Sequence, residues 1–369
     1  MAAAAPRRRR MLDVDGLPVA IVLLVIVGIF MVTAPRAFLS PLIYLSFLAT
    51  VPPPLIIALA LTLVIAAGEI DLSFPSVVKM SGVVYAMLCK FVAFPVDTGA
   101  DGVVGSAGTS DALLWLFLAA AILVGAAIGF LNGILIAVVG IPSIIATLAT
   151  LFVFEGLSLI IGNGLQYSLR GIDAYWSFHI LSGRLFGIPM QAVWALAVAV
   201  LMWAILNRHR FGEHLLFIGD NPNVARVVGI RVNREKIKLF TMMGAIAAFA
   251  GVLVTLENKN FYTTQGTSWL LTVMAAVFIG GTAISGGKGS VVGTFFGTYI
   301  VGCIEAGIVA SGLSGFWTRL VVGLVFLAAV VFHLLMEQPA RFGNLVGMRP
   351  GGRLAVRGPP AANERGGSG

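Results

Sequence analysis

Few residues in this sequence could carry out covalent chemistry. Its four histidines are scattered along 369 residues, and its two cysteines, Cys89 and Cys303, each lie inside an apolar run. An integral-membrane transferase or hydrolase would need His, Asp or Glu clustered at one membrane face, and a zinc site would need closely spaced thiolates or imidazoles. The sequence therefore predicts no catalytic residue and no metal site in this chain.

The stretch GGTAISGGKGS (280–290) comes closest to a nucleotide-binding motif. A P-loop needs G-x-x-x-x-G-K-[ST], because its backbone amides hold phosphates and its hydroxyl binds Mg²⁺. Here the first motif position is Thr282 instead of glycine. The residue after Lys288 is Gly289 instead of Ser or Thr. We interpret the stretch as a tight turn between two apolar runs.

Acidic and polar residues isolated within apolar runs are the candidates for contact with a transported solute. A charge inside a bilayer is costly, so such residues usually face the bundle interior or a cavity. Glu155 and Glu305 are acids of this kind, and the possible partners are Lys79, Lys90 and Arg319. The residues predicted to line a substrate path are Glu69, Asp71, Ser73, Asn132, Thr147 and Glu155.

The stretch TVPPPLIIALALTLVIAAGEIDLSFPS (50–76) breaks the second apolar run at 52–54 and ends that run at two acids. Irregular backbone at membrane depth survives only where protein or water satisfies its hydrogen bonds, so such breaks often line transport cavities. The alternative is a simple interfacial end, with Asp71 or Ser73 capping the next helix and Pro75 in its first turn. The sequence leaves both interpretations open.

The composition predicts an all-α polytopic membrane protein. Hydrophobic residues make up 59% of the chain, charged residues 11%, and the mean hydropathy is +0.99. Apolar runs of about 17–25 residues match a hydrocarbon core of roughly 30 Å, whereas a membrane β-barrel would show short alternating segments. We predict ten membrane-spanning helices, at about 18–34, 42–67, 76–96, 111–139, 141–162, 190–206, 239–256, 269–286, 290–312 and 316–336.

Lysine and arginine in the connecting segments predict the orientation. With the N-terminus in the cytoplasm, the inside segments hold seventeen of these cations and the outside segments four. Both termini are therefore predicted to be cytoplasmic. The orientation of the chain and its contact with the lipid membrane explain the net charge of +8. We therefore predict no nucleic-acid partner. We divide the chain into a basic N-terminus (1–17), a transmembrane domain (18–338) and a disordered basic tail (339–369).

The longest polar interruption is residues 207–238, which carry seven Lys and Arg. At the centre of a bilayer these would cost on the order of 20 kcal/mol, so we place the segment in the cytoplasm. Asn221 is a good N-cap, Pro222 suits the first helical position, and Gly229 suits the left-handed position after a helix end. They predict a helix at 222–228, which is too short to be stable alone.

One face of this short helix is apolar. Val224, Val227 and Val228 are spaced i, i+3 and i+4, and Arg226 lies on another side. The valine face either packs on the protein's own loop or docks on a cytoplasmic partner. The residues assigned to the helix and its caps are Asn221, Pro222, Val224, Ala225, Arg226, Val227, Val228 and Gly229.

Glycines at four-residue spacing predict close contacts between spanning helices, because small side chains let helices approach. The two series are Gly125, Gly129 and Gly133, and Gly293 and Gly297. Asn132 lies beside the first series. It either bonds across helices or faces the substrate path.

Four ordered stretches carry a resemblance to a known family. They are GEIDLS (68–73), GFLNGILIAVVGIPSIIATLATLFVFEGL (129–157), FGEHLLFIGDNPNVARVVGI (211–230) and AAVFIGGTAISGGKGSVVGTFFGTYIVGCIEAGI (275–308). The chain resembles, over about residues 50–335, the permease subunits of ribose- and xylose-type sugar ABC importers, which are more distantly related to branched-chain amino acid permeases. Glu69 stands where the family has glycine, and Glu155 stands where it often has a basic residue. Both departures put the usual substrate contacts in doubt.

The resemblance implies a permease subunit of a bacterial inner membrane that moves a sugar or polyol by alternating access. It implies that the helix at 222–228 is the coupling helix, which fits a groove in an ATPase subunit. The other implied partners are a periplasmic or lipoprotein solute-binding protein and a second permease subunit. ATP and Mg²⁺ would bind to the ATPase, and this chain would hold no cofactor. The alternatives are a permease for branched-chain amino acids or another small polar solute, and a secondary transporter.

Overall fold

The computed structural model describes residues 16–93 and 110–337. The predicted N-terminal segment 1–17, apart from its last two residues, and the predicted tail 339–369 lie outside the described residues. Within them the chain forms fifteen α-helices and two short antiparallel strand pairs. This agrees with the predicted all-α polytopic class.

The helices follow one another with short connections. The first seven are α1 (Leu17–Thr33), α2 (Pro35–Phe38), α3 (Pro41–Thr50), α4 (Pro52–Ala66), α5 (Phe74–Leu88), α6 (Asp111–Ile134) and α7 (Ser143–Ile161). The others are α8 (Trp176–Ser182), α9 (Met190–Arg208), α10 (Arg210–Asp220), α11 (Pro222–Val227), α12 (Val232–Glu257), α13 (Trp269–Ile279), α14 (Val291–Ala310) and α15 (Phe316–Glu337). The strand pairs are β1 (Tyr167–Ser168) with β4 (Asn260–Phe261) and β2 (Arg184–Leu185) with β3 (Ile188–Pro189).

Each of the ten predicted spans contains a helix. In the part of the chain that the structure describes, six helices are long and apolar enough to cross a bilayer, and α3 with α4 makes a seventh if that pair, bent by 51°, counts as one span. The remaining three predicted spans correspond to α1, α13 and α15, which are shorter apolar helices over the residues searched. The count of ten spans and the orientation of the termini stay predictions.

The predicted break in the second apolar run is present. The helix stops at Thr50, and a new helix starts with three prolines at 52–54. Proline suits a first turn, because the amides there have no intrahelical partner. Every residue of α4 is buried, as expected for a helix that is apolar on all sides.

The two glycine series lie at helix contacts. A Cβ added at Gly129 on α6 would overlap the carbonyl oxygen of Phe240 on α12, and one added at Gly133 would lie 2.8 Å from the Cα of Ile237. Gly125 faces the same helix. α12 also packs on α4 and α5, and together these helices form the centre of the core.

The second series lies between α13 and α14. A Cβ at Gly293 would overlap the carbonyl oxygen of Gly280, and one at Gly297 would overlap that of Ala276. Glycine therefore sets the separation of these two helices, which is the role predicted from the spacing.

Two sequence predictions of element boundaries need correction. Most of the polar segment 207–238 is helical, because α9 continues to Arg208, α10 follows it and α12 begins at Val232. Sequence reasoning missed α10, although Phe211, Leu215 and Ile218 recur at helical spacing. The apolar run predicted as a span at 269–286 is helical only to Ile279.

Replacing Gly129 by alanine should destabilise the fold. Because the added methyl group would overlap the backbone of α12, we expect the free energy of unfolding to fall by about 1–3 kcal/mol. Thermal unfolding of the detergent-solubilised protein measures this. Gly28→Ala on α1 is the matched control, because nothing lies within 4 Å of its added Cβ. Equal melting temperatures for both variants would contradict the packing role.

Candidate transport and docking site

The segment 67–73 joins α4 to α5 without helical structure, inside the protein. Its backbone donates to side chains of α7: the Ile70 N–H to Ser143 Oγ at 3.1 Å, and the Leu72 N–H to Thr147 Oγ1 at 3.1 Å. Side chains thus replace the helical partners that this backbone lacks, as irregular chain at membrane depth requires. Thr147, predicted as a path residue, is fully buried and holds this segment.

Side chains at the end of this segment form a buried hydrogen-bond chain. The Asp71 carboxylate accepts from the N–H of Ser73 at 2.7 Å and from its hydroxyl at 2.6 Å. Asn132 Nδ2 donates to Ser73 Oγ at 2.8 Å, and Thr150 Oγ1 donates to Asn132 Oδ1 at 2.8 Å. Asn132 therefore bonds across helices, which was the first of its two predicted roles.

Asp71 and Ser73, at the end of the stretch 50–76, are buried. Asp71 is 2% exposed and Ser73 is fully buried. Ser73 occupies the N-cap position of α5 without a side-chain capping bond, and Pro75 lies in the first turn, as the interfacial interpretation predicted. The segment is a hydrogen-bonded connection beside the first turns of α7 and α12, and both interpretations of the stretch stay predictions.

Sequence reasoning missed Ser143 and Thr150. Together with Thr147 they are spaced i, i+4 and i+7, so the three hydroxyls lie on one face of α7. This periodicity is the signal that could have found them.

Both glutamates that depart from the family pattern are paired with lysines. Glu155 on α7 pairs with Lys79 on α5, and Glu69 pairs with Lys236 on α12. Each pair keeps a charge compensated inside the bundle, where a lone charge would be strongly destabilising.

Glu155 also borders open space. Its side chain is 32% exposed, whereas that of Lys79 is 5% exposed. Glu155 lines a cavity of about 70 Å³ between α5, α7 and α13. Thr267 and Leu270 line the same cavity. Of the six predicted path residues, Glu155 borders this cavity, and the other five are held in the buried bonds described above.

The short helix α11 has the predicted capping chemistry. The Asn221 side-chain oxygen accepts from the N–H groups of Asn223 at 3.0 Å and Val224 at 3.2 Å. The helix ends at Val227, one residue earlier than predicted, and Gly229 has a φ of 89°. The caps therefore satisfy the backbone at both ends of the helix.

A small apolar cluster anchors α11 to the rest of the protein. Ala225 is fully buried against Ile218 of α10 and Val232 of α12, with Ile230 packed beside them. Of the residues assigned to this helix, Ala225 thus belongs to the anchor and not to the outer surface.

The valine face points away from the protein. Val224, Val227 and Val228 are 53%, 88% and 63% exposed. Arg226 donates to the side-chain oxygen of Asn223 at 3.0 Å on the exposed surface. The described chain leaves this face exposed, and docking on a cytoplasmic partner stays a prediction.

Four glycines connect α10 to two other parts of the bundle, and we call them the glycine junction: Gly68, Gly219, Gly286 and Gly287. The Gly287 N–H donates to the Ala66 carbonyl at 2.9 Å. A Cβ at Gly219 would overlap that carbonyl oxygen, and one at Gly286 would lie 2.8 Å from the Gly219 oxygen. Gly68, Gly286 and Gly287 have φ values of 76°, 82° and 76°, which favour glycine.

One ion pair joins two connections outside the predicted spans. Lys259 Nζ donates to Asp173 Oδ2 at 2.7 Å in the connections outside the predicted spans, and this bond holds the pKa of Asp173 below its ordinary value. Among residues 16–93 and 110–337, no three His, Cys, Asp or Glu are grouped so that they could hold a metal ion.

Comparison with known proteins places the chain in a family. The family described as "Branched-chain amino acid transport system / permease component" matches residues 43–330. The chain belongs to this permease family. The match includes the segment 67–73, α11 and the glycine junction.

Individual relatives match this permease over most of its length. The ribose import permease protein RbsC of Bacillus subtilis is 34% identical over 300 residues, which cover 80% of this chain and 85% of the relative. RbsC of Escherichia coli K12 is 30% identical over 315 residues, covering 84% and 91%. The autoinducer 2 import system permease protein LsrC of Salmonella choleraesuis is 30% identical over 279 residues, covering 75% and 74%. No solved structure matches the chain.

Replacing Asn221 of the permease by alanine should loosen α11. Loss of a side-chain N-cap costs about 1 kcal/mol, so amide hydrogen exchange at 222–229 should become roughly fivefold faster. Hydrogen–deuterium exchange with mass spectrometry measures this. Asn223→Ala is the matched control, because this side chain bonds only the exposed Arg226 in the described contacts. Equal exchange in both variants would contradict the capping role.

Proposed function

We propose that this chain is the permease subunit of an ATP-driven ABC importer and moves a sugar or polyol across the bacterial inner membrane by alternating access. The observation that carries the proposal is the 34% identity over 300 residues to a ribose import permease. Hydroxyl-rich, uncharged solutes can form hydrogen bonds with side-chain hydroxyls, side-chain amides and the backbone. Hydroxyl and amide side chains make up most of the buried polar residues in the described chain.

The ATPase is a separate subunit in this proposal, and it binds ATP and Mg²⁺. The valines of α11 are its docking surface. Two observations support this surface: three large apolar side chains are exposed on a polar segment, and the helix is held rigidly by its caps and by Ala225. Apolar patches on a polar surface are typical of protein–protein contacts.

The importer also contains a second permease subunit and a solute-binding protein on the outer side. The excess of Lys and Arg in the segments beside α11 supports a cytoplasmic location for that helix and for both termini. The solute would then arrive at the opposite end of the bundle from the ATPase.

The glycine junction is the proposed mechanical link. α10 lies immediately before α11 in the chain, and Gly219 at its end contacts the backbone of Ala66 and Gly287. These residues lead into the segment 67–73 and, through the turn 280–290, into α14. A displacement of α11 is therefore transmitted through backbone contacts, which have no flexible side chain to absorb it.

The family name favours a second candidate, import of a branched-chain amino acid. Proteoliposomes that hold the permease, its ATPase and its solute-binding protein distinguish the two. We expect ATP-dependent uptake of D-ribose or another sugar, and none of L-leucine. Uptake of leucine alone would overturn the sugar assignment, and uptake driven by an ion gradient without ATP would overturn the importer class.

Replacing Val227 by aspartate should uncouple the ATPase. A charge at the centre of an apolar contact is left desolvated without a partner, so association and ATP-driven uptake should both fall at least about tenfold. Co-purification of the ATPase and uptake assays measure this. Asn233→Asp is the matched control, since it adds the same charge at an exposed position on the first turn of α12. Wild-type association in the Val227→Asp variant would contradict the docking surface.

A further inference from the structure

A second, larger cavity lies between α3, α4, α13, α14 and α15. Its volume is about 770 Å³, which is within the range of sites that bind small molecules. None of the residues predicted from the sequence to line a substrate path borders it. It therefore needs its own explanation.

The lining of this cavity combines hydroxyls, charges and an aromatic ring. Seven of its lining residues are serine or threonine, and they surround Glu305, Arg319 and Trp269. Thr272 Oγ1 donates to Glu305 Oε1 at 3.0 Å, which orients the carboxylate. In the described residues neither Glu305 nor Arg319 forms an ion pair. Both charges are thus available to a ligand.

The cavity lies at the end of the bundle opposite to α11. α14 begins at Val291, directly after the turn that contacts Gly219, and Glu305 lies 14 residues further along this helix. At 1.5 Å per residue the distance is about 21 Å. Arg319 lies in the first turn of α15, just beyond the end of α14. A solute that arrives on the side away from the ATPase would meet this cavity first.

We propose that this cavity binds the transported solute, a sugar or polyol, at an early stage of its passage. The proposal rests on the proposed function. The indole of Trp269 can stack on the apolar C–H face of a sugar ring. Glu305 can accept hydrogen bonds from neighbouring hydroxyls, and the Arg319 guanidinium can donate to two oxygens at once.

The larger cavity is a neighbour of the smaller one. Thr267 and Leu270 line both this cavity and the smaller one beside Glu155. The Lys79–Glu155 pair therefore lies on the far side of these two residues from the proposed solute site.

The first test is equilibrium binding of radiolabelled D-ribose to the purified permease in lipid nanodiscs, without ATPase. Glu305→Gln keeps the size of the side chain but replaces a charged acceptor by a neutral amide, so it should weaken binding by about 10- to 100-fold. Trp269→Leu should weaken binding as well. Trp317→Leu is the matched control, because Trp317 is adjacent to the cavity in sequence but does not line it. Equal binding by wild type and both cavity variants would overturn the proposal.

The second test does not depend on a variant that weakens the fold. Ser268 is exposed and lines the cavity, so Ser268→Cys can react with a maleimide, while the native cysteines are buried. We expect D-ribose, but not L-leucine, to slow this reaction. Protection by leucine and not by ribose would overturn the solute class. Unchanged labelling in an importer that still takes up D-ribose would overturn the cavity site and leave the proposed function intact.

Discussion

The fold depends on satisfying the backbone of the segment 67–73. This stretch interrupts the helices where α4 meets the first turns of α7 and α12, and buried N–H groups left unbonded there would cost several kilocalories per mole. Ser143 and Thr147 on α7 accept from its amides, and Asp71 accepts from Ser73. The positions of α4, α5 and α7 are thereby fixed relative to one another.

The glycine junction connects this segment to α10, which leads into α11. Gly68 lies at the beginning of the segment, and Gly219 lies two residues before the cap of α11. A Cβ added at Gly219 would overlap the backbone of Ala66 and Gly287, and one added at Gly68 would lie in van der Waals contact with Gly219. The Glu69–Lys236 pair adds a second connection, from the segment to the first turns of α12. α11, α10, the segment 67–73 and α12 are thus joined by one continuous set of contacts.

Local rules predicted part of this arrangement from the sequence. The capping residues Asn221 and Gly229 located α11 almost to the residue, and glycine spacing predicted close helix contacts, though not that α6 meets α12. Residue pairing was not predictable, because Glu69 and Lys236 are 167 positions apart and a single sequence does not say which helices are neighbours. Glu305 was predicted to face the bundle interior or a cavity, and it lines one, but the rest of that lining comes from five helices and the turn before α13, which only the fold brings together.

We infer that movement of α11 is transmitted to the solute path through backbone contacts. The most direct test is to measure ATP-driven D-ribose uptake by an importer that carries Gly219→Ala. The added methyl group would push α10 away from Ala66 without touching the valine face. We expect the ATPase to co-purify as with wild type while uptake falls at least about tenfold, a loss of about 1.4 kcal/mol or more in the coupled step. Uptake at the wild-type rate, with the ATPase bound, would contradict transmission through the junction.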